Sequence, residues 1–334
     1  GADLVFGAVR DTYLARGTSV PGQPALTPLF QVIPPLLEVA RAVGIQPNNV
    51  VVAWSMLTES IDNVLVPVNA TTGPRPASLV LAGTTAQLNL GVPSRANIYT
   101  GFLDVTYYGD PANPLTSFWL NTSLTGPPNV QNPAPFPRGN RRIPLLVTVP
   151  NSVSRPPAGW PVVIFQHGIT LNRTVMFAMA DSFAAAGFAV VAIDLPLHGI
   201  TDPANPLYQG PGNPLNPFGN NERHFFMDNV GAVGVFAPDG QIDNGWQILN
   251  VANPLNARDH IRQAVADTIA LKRTLPELDV NGDMNPDDLD PNRIQYVGIS
   301  LGSIISGVFL GLDTDVKTAT LSSPAGPWTS ILTD

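Results

Sequence analysis

The 334-residue chain contains no cysteine, which excludes disulfides, thiolate metal sites and a cysteine nucleophile. Charge is scarce as well. Asp, Glu, Lys and Arg make up 13% of the residues, and 17 Lys plus Arg stand against 25 Asp plus Glu, for a net charge of −8. Phosphate backbones need clustered Lys and Arg, so nucleic acid is excluded as the main partner. No uninterrupted apolar run is long enough to span a bilayer, and no transmembrane segment is expected. The opening stretch GADLVFGAVRDTYLARG lacks the basic start and apolar run of a signal peptide; a mature or trimmed N-terminus would look the same. Histidine occurs only four times, at His167, His198, His224 and His260.

Apolar residues are plentiful. At 44% they allow a sizeable core. The 35 prolines and 29 glycines point to many turns and long irregular connections rather than a helical bundle. Residues 1–96 read as a smaller N-terminal module with β content, or as a decorated extension of the main domain. In it LTPLFQVIPPLLEVARAVG has helical spacing broken by Pro34 and Pro35, NNVVVAWSMLTES is β-rich, and NATTGPRPAS is a loop by composition.

Residues 97–334 alternate strand and helix. NIYTGFLDVTYYG, RRIPLLVTVPN, WPVVIFQHG, AVVAIDLPLHG, RIQYVGIS and VKTATLSSP read as strands. TVMFAMADSFAAAGF, ARDHIRQAVADTIALKR and LGSIISGVFLG read as helices. This order predicts an α/β fold, a mostly parallel sheet with helices on both faces. The stretch from Gly199 to Asn253 is too long for an ordinary connection. It holds Phe225, Phe226, Met227 and Trp246, which a disordered linker would not need. A lid-like ordered insertion over the carboxyl ends of the strands is expected, with a self-packed surface excursion as the alternative.

The motif GISLG, Gly298 to Gly302, fits the G-x-S-x-G nucleophile elbow, in which a strained serine sits between a strand and a helix. Ser300 is the candidate nucleophile. The following helix N-terminus offers N–H groups to a developing oxyanion. Leu301 N–H is one expected donor, and Ile169 N–H, after His167-Gly168, is the second.

WPVVIFQHGIT, DSFAAAGFAVVAIDLPLHG, ARDHIRQAVADTIALKR and LDPNRIQYVGISLGS together resemble the α/β-hydrolase domain of bacterial extracellular, virulence-factor-type lipases and esterases. The resemblance covers roughly residues 97–324. It implies a secreted or cell-envelope-exposed serine carboxylic ester hydrolase acting through an acyl-enzyme on Ser300, with no cofactor required for catalysis. Such enzymes often have histidine before the nucleophile, where this chain has Ile299. Some polyester-degrading esterases share the fold, so the resemblance leaves lipid, short-chain ester and polyester substrates open.

In that fold the acid and then the histidine follow the nucleophile. After Ser300 come Asp313, Asp315 and Asp334, and no histidine. One expectation is that the chain stops after the sixth hydrolase strand, VKTATLSSP, without the elements bearing acid and base. The other is that a histidine from elsewhere substitutes. His198 is the candidate, since it follows a strand ending on the active-site side; His260 and His224 compete. The rival functional class is a non-catalytic or incomplete hydrolase-like binding protein.

DVNGDMNPDDLD places Asp279, Asn281, Asp283, Asp287 and Asp290 at spacings near those of a calcium loop. Met284 stands where the sixth-position glycine is expected. A structural calcium and a solvated acidic loop are the two readings.

Overall fold

The computed structural model describes residues 62–87, 93–213, 216–229 and 237–324, with positions 38, 41, 42, 44 and 46. Contacts divide the chain into two compact units, Gly1–Glu59 and Ser60–Asp334. In the first unit positions 38, 41 and 42 are helical. The β-rich stretch expected at NNVVVAWSMLTES lies outside the described residues.

The second unit contains β1 (Ala77–Thr84), β2 (Ala96–Tyr107), β3 (Gly139–Pro150), β4 (Trp160–Gln166), β5 (Ala189–Ile193), β6 (Leu289–Ile299) and β7 (Thr318–Ser322). Its helices are α1 (Asp62–Thr71), α2 (Phe177–Ala185), α3 (Pro254–Thr274) and α4 (Leu301–Leu312). The strands form one open sheet in the order β1-β2-β3-β5-β4-β6-β7. β1 and β3 run against their neighbours, and the other five strands share one direction. This is the mostly parallel α/β-hydrolase-type sheet expected. α1 and β1, which fall before residue 97, belong to the sheet-bearing unit. Pro67 lies inside α1, and its missing N–H hid that helix from a pattern reading.

The centre of the sheet is buried on both faces. Every residue of β4 and β5 is buried, which is why both read as continuous apolar runs. Alternate side chains feed two cores. Val163, Phe165, Val190 and Ala192 pack with Met176, Phe177 and Ala180 at the start of α2. Val162, Ile164, Val191 and Ile193 pack on the opposite face with Val265, Ile269, Ile305 and Phe309 of α3 and α4. Each fully buried Val, Ile or Phe contributes about 1.5–3 kcal/mol. α2 stops at Gly187, whose φ is 78°, where a left-handed glycine ends a helix. α3 opens on Asn253, whose side chain accepts from Asn256 N–H, with proline next; this pairs an N-cap with a proline that needs no acceptor. Among the described residues no helix is long and apolar enough to cross a membrane.

Candidate active site

Ser300 stands between β6 and α4 with φ 51° and ψ −118°. A non-glycine residue at that φ is strained, and the strain is held from several sides. Ser300 N–H donates to the Ser322 carbonyl at the end of β7 (2.8 Å), and the Ser300 carbonyl accepts from Ser303 and Ile304 N–H. The flanking glycines permit close approach. A Cβ at Gly298 would lie 2.6 Å from Ser306 Oγ and 2.9 Å from the Gly302 oxygen. A Cβ at Gly302 would lie 2.3 Å from the Gln166 oxygen. So α4 begins directly against the end of β4, and Ser300 sits in a tight strand-to-helix turn.

The loop after β4 lies on the serine. A Cβ at Gly168 would be 3.1 Å from Ser300 Cβ. Leu195 N–H donates to His167 Nε2 (3.1 Å), which leaves the ring proton on Nδ1. That nitrogen donates to the Gly168 carbonyl at 2.8 Å. In a trans peptide C=O and N–H point in opposite directions, so this bond turns Ile169 N–H away from the ring. Ile169 N–H has no protein acceptor among the described residues, and neither has Leu301 N–H at the first turn of α4. Two backbone donors without a protein acceptor among the described residues therefore lie near Ser300.

No described histidine is hydrogen-bonded to Ser300. His198 Nδ1 lies 2.8 Å from the Pro196 oxygen, while its Nε2 is buried without a partner. Gly245 covers that ring: a Cβ there would sit 2.0 Å from Nε2. His224 accepts from Phe226 N–H and donates to the Ile200 oxygen. His260 donates to the Pro114 oxygen. All four rings are buried, and each bonds a backbone carbonyl, His224 and His260 to one distant in sequence.

Burial also keeps these rings neutral. It pushes His167 and His260 down to about 4 and His198 to about 3, and it lowers His224. In the unfolded chain they take up protons near 6.5. Below that pH the unfolded state binds more protons, so stability is full above about pH 6.5 and is lost as pH falls toward the folded values. Three rings together give a slope of up to about 4 kcal/mol per pH unit near pH 5. Asp267, whose carboxyl burial raises, acts in the opposite direction. Urea midpoints measured from pH 7 to pH 5 should fall steeply; an unchanged midpoint would show that the rings are not buried neutral.

Beside His167 lies a buried ionic network with no sequence signal. Arg173, Asp194, Glu222, Arg223 and Asp267 are each no more than 1% exposed. Arg173 donates to both Asp194 and Glu222 and to the Leu207 carbonyl. Glu222 also accepts from Ile200 and Gln209 N–H. Arg223 donates to Asp267 and to the Asp194 carbonyl. Glu222 and Arg223 thereby fasten the long insertion to the sheet. Asn244 adds a further tie, donating to the Thr170 carbonyl and accepting from Gly199 N–H. Phe225 lies under Arg141 and Phe226 is edge-on to His224.

The acidic loop does not gather its five side chains into one ligand set. Asp279 caps Gly282 and Met284 N–H, and Asp283 caps Asn285 N–H. Asn281 bonds Asp283 and Asp288. Asp287 pairs with Arg155, and Asp290 caps Asn292 N–H. Among the described residues no group of three or more His, Asp or Glu is placed to hold a metal ion.

Residues 139–196 match a family profile described as platelet-activating factor acetylhydrolase, isoform II. That segment runs from β3 through β5 and ends before Ser300. No curated protein sequence matches the chain. Among solved structures it is similar to an acetyl xylan esterase from Paenibacillus sp. R4, with 17% identity over 79% of this chain and 60% of that one, TM-score 0.40. It is also similar to acetyl xylan esterase 1 from Thermoanaerobacterium sp. JW/SL YS485, with 15% identity over 80% and 59%, TM-score 0.40. A ferulic acid esterase from Streptomyces cinnamoneus matches at 17% identity over 69% and 61%, TM-score 0.34. The chain spans about 60% of the length of the first two of these structures.

Proposed function

We propose that this chain is a serine carboxylic ester hydrolase, with Ser300 as the nucleophile. The observation that supports this most is the strained serine at φ 51° set against the Gly168 loop, with vacant N–H donors at Ile169 and Leu301. Ser300 Oγ attacks the acyl carbonyl, and the carbonyl electrons move onto an oxyanion held by those two N–H groups. The alcohol leaves with a proton, and water then releases the acyl group from the serine. No cofactor takes part. Short acyl esters are the substrate class, in keeping with the acetylhydrolase name of the profile matched over residues 139–196. A secreted or envelope-exposed location belongs to the same reading and is supported by the sequence resemblance.

The serine proton needs an acceptor. All four histidines of the sequence are among the described residues, and each is bonded elsewhere. An imidazole base therefore has to come from outside these 334 residues or from a rearrangement. The same observation favours a second reading, a hydrolase-like domain that binds esters without cleaving them. Hydrolysis of p-nitrophenyl acetate and butyrate by wild type and Ser300→Ala separates the two. The ester hydrolase reading expects Ser300→Ala to fall to the buffer rate, with acetate the better wild-type substrate. Equal rates above buffer in both proteins would exclude Ser300 as the nucleophile. A wild type no faster than buffer would leave the binding reading.

A further inference from the structure

We infer that Arg141 forms an anion-binding site on the active-site edge of the sheet, taking an oxyanion group, a carboxylate or phosphate, of a small ligand. Arg141 and Arg142 are consecutive on β3 and point to opposite faces, as strand residues must. Each guanidinium covers an aromatic ring, Arg141 over Phe225 at 4.0 Å and Arg142 over Phe102 at 3.6 Å. The two differ in their charge partners. Arg142 Nε donates to Asp104 at 3.1 Å. Arg141 forms no ion pair among the described residues, and its Nε is buried without a hydrogen-bond partner.

Arg141 is half-buried, and desolvating an unpaired guanidinium nitrogen is costly. The titratable groups that act on Arg141 are Tyr107 and Arg223, and no carboxylate is among them. Arg223, itself committed to Asp267, only adds like charge. Burial accordingly lowers the Arg141 pKa from its usual value, a direction that an entering anion would reverse. Tyr107, on the same face at 6.0 Å from the guanidinium, is buried and holds its phenol protonated, since burial raises its pKa. The placement also favours a ligand. β3 is antiparallel to β5, with Leu145 opposite Ile193, the last residue of β5. Arg141 thus lies beyond the carboxyl end of β5, on the edge where β6 delivers Ser300. A planar, five-donor guanidinium clamped on an aromatic ring is prearranged for two parallel bonds to an oxyanion.

The test is independent of ester turnover. Inorganic phosphate and acetate are titrated into 15N-labelled protein while the arginine Nε–H resonances are followed, for wild type, Arg141→Gln and Arg142→Gln. Saturable binding of at least one anion is expected, weakened by salt and moving the Arg141 Nε–H signal. Which anion binds more tightly separates phosphate-bearing from carboxylate-bearing ligands. Arg141→Gln should bind at least about tenfold more weakly, and Arg142→Gln should bind as wild type does. Should the glutamine variant fail to fold, Arg141→Lys keeps stem and charge but not the fork, and should bind about tenfold more weakly. The absence of saturable binding of both anions by the wild type, or unchanged affinity in the Arg141 variant, overturns the site.

Discussion

Alanine at Gly302 should lower ester turnover about a hundredfold in a protein that still folds. Its Cβ would lie 2.3 Å from the Gln166 oxygen and 2.7 Å from the His167 oxygen. Both are backbone atoms that cannot swing aside. The start of α4 and the end of β4 must then part by about 1 Å, a strain costing about 1–3 kcal/mol. The same shift separates Leu301 N–H from Ile169 N–H, and a misplacement of that size is enough for about a hundredfold loss. Gly307→Ala is the control. It lies in the same helix with nothing within 4 Å of its Cβ, so it should gain about 0.5–1 kcal/mol and leave turnover alone. Equal kcat/KM in Gly302→Ala and wild type would show that the elbow and the β4 loop are not coupled.

Replacing Arg173 by methionine should cost about 3–5 kcal/mol of folding stability. The methionine fills much of the volume but leaves Asp194 and Glu222 buried without their shared cation. Against a total of about 5–15 kcal/mol for a folded domain, that loss is a large fraction. Arg223 cannot substitute, because its donors are already spent on Asp267 and the Asp194 carbonyl. Arg173→Met with Glu222→Gln should recover part of the loss, since one unpaired charge goes with the pair. Urea denaturation reads both variants. A cost below about 1 kcal/mol, the range of exposed ion pairs, would show that water reaches the network.

The residues that proved legible in the sequence act locally. β4 and β5 announce themselves as apolar runs because both faces are covered. The elbow announces itself because glycines, serine, strand and helix are consecutive. What stayed hidden is assembled from distant segments. Arg173, Asp194, Glu222, Arg223 and Asp267 span 95 positions without a recurring spacing, and only the folded sheet brings them together. His198 was a reasonable candidate base from its place after β5. Yet the turn from Leu195 to His198 ties its Nδ1 to Pro196, and Gly245 closes over the ring from the far end of the insertion. α1 and β1 lack a readable pattern for a different reason: Pro67 interrupts the one, and the largely exposed β1 carries little periodic signal.

The pairing of β4 with β6 has a kinetic consequence. Val162 lies beside Ile294, and the segment between them contains α2, β5, the insertion and α3. The strand that presents Ser300 can dock only after a loop of about 130 residues has been closed, and such long-range parallel pairings form slowly. During synthesis β4 and β5 leave the ribosome well before their partner. The apolar side of β4 is uncovered in that interval, when partly assembled sheets are most prone to aggregate. Ser300 is thus among the last central residues to be put in place, and the yield of folded protein depends on how long β4 waits for β6.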